Sequence, residues 1–250
     1  MKKLLVVLSM IFVFASIGFT QTVKITPKKI VYTRKGKQIS KEKKTFVVTY
    51  PLISGAIPLP VKKKLENTIN YWRVFETTLK ENLNESDWLT DLYYKVNFNK
   101  NDILDISLTQ KGVGAYPDQQ TVDLVIDLKT GEQVKFADVF KSSMSGKLAN
   151  LVDKKLAIEK AKIMRQIDRN QFGEQSGEEK TASKQQVSDL KFTAENFNEF
   201  SVSDKGATIL YDAGFPHVIR ALEPEGRYFF TWAQLKPFIR PDGLLARFVR

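Results

Sequence analysis

A chain of 250 residues that is 42% hydrophobic and 27% charged holds enough apolar material for one or two packed cores, which excludes a disordered, collagenous or low-complexity polypeptide. It has no cysteine and one histidine, His217, so disulfides, thiolate metal sites, a thiol nucleophile and a multi-histidine metal centre are all excluded. The formal charge is +11, and where that charge sits carries more information than its size.

Lys2 and Lys3 precede an apolar run from Leu4 to Phe14, and the small residues Ala15, Ser16 and Gly18 follow. This is the pattern of a secretory signal over residues 1–20, with cleavage expected near Gln21; an uncleaved anchor is the alternative. The run falls short of the roughly 20 apolar residues that span a bilayer, and no later stretch approaches that length. Periplasmic or extracellular localisation is expected, with no membrane span after signal removal.

The next stretch is basic. From Thr22 to Thr45 nine Lys or Arg stand against Glu42 alone, whereas residues 46–250 hold 28 basic and 27 acidic residues. A near-neutral body thus follows a basic N-terminal β segment, residues 21–60. Val23 to Ile25, Ile30 to Thr33 and Thr45 to Tyr50 read as strands, with a turn at Lys35-Gly36-Lys37. Lys35 and Lys37 are candidate contacts for an anionic envelope polymer. The alternative is that the lysines keep an exposed sheet edge from pairing. Nucleic acid is not an expected partner.

Residues 61–250 read as an interleaved α+β body, compact with the β segment. Leu65, Ile69, Trp72, Phe75, Leu79 and Leu83 step by three or four and predict one amphipathic helix over 61–83. An antiparallel meander follows: 92–98, 103–109 and 121–128, with a strand resuming at Val134 and Phe136. Asp123 and Asp127 alternate with apolar residues and are expected on a solvated face, and Asp102 and Asp105 likewise as surface carboxylates. A second amphipathic helix carries Leu148, Val152, Leu156, Ile163 and Ile167. Residues 172–188 hold almost nothing apolar and are expected to form a mobile loop. Strands are predicted over 198–203, 206–211 and 227–232, then a helical turn at 233–235. The fold class is therefore α+β, an antiparallel meander sheet packed by two amphipathic helices with a basic N-terminal hairpin.

Catalytic patterns are thin. Ser40/Lys43 and Ser188/Lys191 match Ser-x-x-Lys without the helix start or oxyanion donors that such a nucleophile needs. His217 could serve as a general base, but no nucleophile stands beside it in sequence, which leaves a hydrolase as the weakest reading. Gly112-Val113-Gly114-Ala115-Tyr116-Pro117 lacks the third glycine of a dinucleotide loop, so no cofactor is expected. Gly112, Gly114, Tyr116 and Pro117 instead combine backbone freedom with an aromatic platform, as a recognition loop or as a structural bulge.

Tyr50-Pro51-Leu52-Ile53-Ser54-Gly55, Gly112 to Pro117, Val125 to Gly131, Phe136 to Phe140, Phe200 to Tyr211 and Pro216-His217-Val218-Ile219 recur in one order. Over residues 45–236 the chain resembles the paired extracytoplasmic domains of unknown function (DUF4163/DUF3298 type) seen in lysozyme-sensing anti-sigma factors and beside peptidoglycan deacetylase domains. That resemblance implies a non-enzymatic α+β sensor or binding domain for a cell-envelope glycan or envelope protein, possible site residues being those of the 112–117 loop with His217. A lysozyme partner is the second implication. Tyr116 stands where the family's Gly-Gly-Ala-His-Pro loop has its histidine, and a basic chain repels basic lysozymes.

Overall fold

The computed structural model describes residues 22–35, 39, 43–84, 86–174 and 176–250. The expected signal sequence, Gly36, Lys37 and Ser40 lie outside the described residues. The architecture is α+β. Strands β1 (Lys24–Thr33), β2 (Thr45–Ser54), β3 (Leu89–Lys100), β4 (Ile103–Val113), β5 (Pro117–Asp127) and β6 (Glu132–Gln133) lie side by side in that order. All neighbours run antiparallel except β2 and β3, a parallel pair in register only at Val47↔Asp91 and Val48↔Leu92. A smaller antiparallel sheet contains β7 (Phe200–Ser203), β8 (Gly206–Leu210) and β9 (Arg227–Thr231).

The helix predicted over 61–83 is three short ones: α1 (Leu59–Thr68), α2 (Tyr71–Val74) and α3 (Leu79–Asn84). Two caps divide the helix although the apolar stripe is continuous. The Asn70 side chain accepts from Trp72 N at 3.0 Å, and Thr78 and Glu81 satisfy each other's backbone N–H groups, so each short helix starts on its own capping residue. Phe136 opens a helical turn, α4 (Phe136–Val139), rather than continuing a strand. The long amphipathic helix α5 (Ser145–Asp168) forms as expected. Within residues 172–188, expected to be loop, the chain instead starts α6 (Gly177–Asp189). Its capping box pairs Ser176 with Glu179, and Val187 and Ser183 are the residues it buries. A 3-10 helix (His217–Leu222) and α7 (Trp232–Leu235) complete the parts used below.

The large sheet is covered on both faces. Leu104, Ile106 and Leu108 of β4 join Leu65, Ile69 and Tyr71 beneath the short helices. Ile103, Phe98 and Val125 join Val152, Leu156, Phe200 and Ile209 beneath α5 and the small sheet. This corrects the solvated-face expectation. Asp102, Asp105 and Asp123 are all buried: Asp105 and Asp123 because the face that alternation marks as polar is the one on which β7 docks, and Asp102, in the turn before β4, beneath Arg247 and Lys129. Asp105 accepts from Ser201 Oγ and Val202 N, both at 2.6 Å, and from Asn97 Nδ2 at 3.0 Å. Asp102 lies within 2.9 Å of Arg247 Nη1 and 3.3 Å of Lys129 Nζ. The polar residues on this face are buried with partners, as desolvated groups must be.

One buried cation ties the N-terminal ribbon to the rest. Arg34, 2% exposed, donates from Nε to Asn82 O (3.0 Å) and Ser86 O (2.8 Å), from Nη1 to Lys43 O (2.5 Å) and from Nη2 to Leu89 O (2.5 Å). Its guanidinium carbon lies 4.8 Å from the centre of the Phe46 ring, within cation–π range.

Candidate functional site

The interruption at residues 112–118 is the tip of a hairpin. Val113 pairs with Pro117, leaving Gly114, Ala115 and Tyr116 to turn the chain, closed by Gly114 N donating to Tyr116 O at 3.1 Å. Trp88, just before β3, braces the tip: its carbonyl accepts from Val113 N at 2.8 Å, and its indole lies against Gly112. A Cβ on residue 112 would stand 2.2 Å from two indole carbons. Gly112 is therefore required by close packing, whatever else the loop does. Gly112→Ala is expected to lever the indole out of place, lowering stability by about 1–3 kcal/mol, the usual range for overpacking, with a red shift of Trp88 fluorescence as the check. Tyr116 projects from the braced tip, 63% exposed.

A second element reaches the hairpin. Arg220, in the 3-10 helix that begins at His217, forms an ion pair with Asp118. A cleft of about 450 Å³ lies between them, lined by Thr90, Lys111, Gly112, Val113, Pro117, Asp118, Gln119 and Arg220. Lys111 Nζ sits 5.2 Å from the centre of the Tyr93 ring. A neighbouring cleft of about 340 Å³ is lined by Thr121, Asp123, Glu199, Asp212, Glu225 and Arg227 among others. Pro117, Gln119, Thr121 and Asp123 are alternate residues of β5, so both clefts lie along one face of that strand. Their charge differs: the first carries Lys111 and Arg220 against Asp118, the second four carboxylates against Arg227. Burial, then the nearby Asp123 and Asp212, push the Glu199 carboxyl above the ordinary range, against the pull of the Asp123 N–H.

The sites expected from sequence separate into two places. Gly112 and Pro117 line the hairpin cleft, Gly114 and Tyr116 form the tip above it, and the helix starting at His217 is joined to it through Arg220. The His217 side chain and Lys37 lie outside what the structure describes. Lys35 is exposed at the far end of β1, where its backbone N–H donates to Leu83 O at 3.0 Å, and it does not line the cleft. Ser188 lies in the last turn of α6, its carbonyl accepting from Lys160 Nζ at 2.6 Å. Among the described residues no group of three or more His, Cys, Asp or Glu is placed to hold a metal ion. No described helix is long and apolar enough to cross a membrane. Sequence reasoning missed Trp88, Asp118 and Arg220, whose roles arise only from tertiary contact.

No family model and no curated protein matches the chain. Among solved structures the fold resembles that of a DUF3298 family member from Bacteroides fragilis, with 10% sequence identity, a TM-score of 0.57, and coverage of 90% of this chain and 97% of that one. A DUF3298 family protein from Pseudomonas aeruginosa is also matched, at 12% identity and a TM-score of 0.46, covering 88% of this chain and 94% of the other. The DUF3298-type fold that the segment order suggested is thus the fold the chain adopts.

Proposed function

We propose that this chain is an exported, non-enzymatic binding domain for a cell-envelope glycan, and that the β4–β5 hairpin tip makes the contact. The observation that supports this reading is the exposure of Tyr116 on a tip braced from two sides, by the Trp88 indole against Gly112 and by the Arg220–Asp118 pair. A tyrosine presents a large amphipathic surface at small entropic loss, and bracing reduces the ordering that binding must impose. The cleft beneath offers Thr90, Gln119, Lys111 and Arg220 as hydrogen-bonding partners for hydroxyl and acidic groups of a sugar chain.

Retention on purified peptidoglycan tests the reading. Tyr116→Ala is expected to reduce retention about tenfold, equivalent to about 1.4 kcal/mol, in a variant whose cooperative melt shows that it is folded. Absence of retention at low salt, or retention indifferent to Tyr116→Ala, overturns the glycan assignment. Co-elution with lysozyme in place of retention would reassign the tip to a protein partner.

A further inference from the structure

β1 is the outer strand of the large sheet, and among the described residues it pairs with β2 alone. Pro27 stands opposite Pro51, and neither residue has an N–H, so this pair cannot exchange ladder hydrogen bonds. Antiparallel pairs alternate between bonded and non-bonded. The bonded pairs on β1 are therefore those of Lys28, Ile30 and Tyr32, and the N–H and C=O groups of Lys29, Val31 and Thr33 point away from β2. All three of these residues are exposed. Pro27 ends the row, so the open backbone runs from Lys29 to Thr33.

A groove adjoins this edge. Ile30 and Tyr32 of β1, Tyr50 and Leu52 of β2 and Trp72 of α2 line about 360 Å³ of mainly apolar space. The Tyr32 and Tyr50 hydroxyls, 3.1 Å apart, hold two of the rings together. A strand laid outside β1 would place every second side chain on the groove side. Charge then selects the partner. Lys24, Lys28, Lys29 and Lys35 are exposed and β1 carries no acidic residue, so a second copy of this edge would set lysines against lysines.

The geometry points to a strand-addition site: an extended acidic peptide segment with apolar residues at alternate positions pairs with β1 from Lys29 to Thr33 and seats its apolar side chains in the Tyr32–Tyr50–Trp72 groove. Backbone pairing supplies affinity and the groove supplies selectivity, while the lysines accelerate encounter. This site is separate from the hairpin tip and stands independently of the glycan reading.

The test uses synthetic octapeptides of alternating Glu and Val, of alternating Lys and Val, and of Glu and Val with alternate backbone nitrogens methylated. The Glu–Val peptide is expected to bind, to slow amide exchange at Lys29, Val31 and Thr33, and to weaken as salt is raised. The Lys–Val and methylated peptides are expected to bind at least tenfold more weakly. Val31→Pro removes an N–H that faces away from β2, at a position equivalent to that of Pro27 four residues earlier, so the free protein should retain its thermal midpoint while losing affinity at least tenfold. Should that variant fold poorly, the methylated peptide on the unaltered protein supplies the same comparison. Equal binding of the Glu–Val and Lys–Val peptides, full binding of the methylated one, or unchanged affinity in a folded Val31→Pro overturns the proposal. So does heparin binding at these lysines with no binding of the Glu–Val peptide, which would assign them to polyanion attraction.

Discussion

Arg34→Ala is expected to lower the thermal midpoint by about 10 °C, the counterpart of about 3–5 kcal/mol in a chain of this size. The guanidinium bonds four main-chain carbonyls, at Lys43, Asn82, Ser86 and Leu89. These belong to the entry of β2, the end of α3, the following connection and the start of β3. Its hydrogen bonds all go to carbonyls, whose partial charges hold the cation together with the field of the nearby Asp87. Burial pushes its pKa down, with Asp87 opposing the shift, yet an arginine stays charged in such surroundings. Removing it leaves carbonyls buried without donors, each costing about 1–3 kcal/mol unless water enters. Arg34→Lys should recover only part of the loss, because one ammonium has three donors and no planar fork. Circular dichroism melts of the two variants check this, and a melt of Arg34→Ala within about 2 °C of the parent, less than 1 kcal/mol, would remove the anchoring role.

The second large effect is expected at Asp105. Asp105→Ala deprives Ser201 Oγ, Val202 N and Asn97 Nδ2 of their acceptor in a place with no exposure. It should cost about 3 kcal/mol and loosen β7 from the large sheet first, read as faster amide exchange at Ser201 and Val202. The pH dependence has a definite sign. Burial raises the Asp105 pKa above the ordinary carboxylate value, against the pull of its three donors. The native state therefore binds a proton more readily than the unfolded chain, whose Asp titrates near 4. This group's contribution is fully present below that unfolded pKa and is lost as pH rises through the raised folded one. Between those two values, denaturant midpoints of the parent should fall with rising pH relative to those of Asp105→Asn, which cannot titrate at this position. Parallel midpoints across that interval would refute the assignment. Glu199, shifted in the same direction, adds to the parent's absolute slope and cancels in the comparison.

Both residues bear on what could be read before the fold was known. The strands of the meander were legible because Val122, Leu124, Ile126 and Leu128 alternate cleanly, and α5 because its stripe repeats over six turns. The polar side of that same alternation misled. Period two says that Asp105 and Asp123 share a face, but only the docking of β7 determines whether that face meets water. The 61–83 segment misled differently, since its apolar stripe runs unbroken through Asn70 and Thr78. The caps were in the sequence, and Thr78-x-x-Glu81 is a capping-box pattern. Ser176-x-x-Glu179 marks α6 in the same way. That helix lacks a stripe because it buries little besides Val187 and Ser183, so periodicity had nothing to detect. At the hairpin the glycines and Tyr116 were legible as a loop. Trp88 and Arg220, which brace it, stand 24 residues before Gly112 and 102 residues after Asp118 in the chain and have no local signature.

The parallel seam between β2 and β3 has a mechanical consequence. With two residue pairs in register, against ten between β1 and β2, the ribbon is held across the seam largely by side chains, among them Arg34 and the buried Phe46, Val48 and Ile53. Force applied at the amino terminus would concentrate on that line and peel the ribbon away as one piece while β3, β4 and β5 stayed knitted. The same seam is where a partial opening distinct from global unfolding would start, with the basic ribbon detaching and the underside of the helical face wetted.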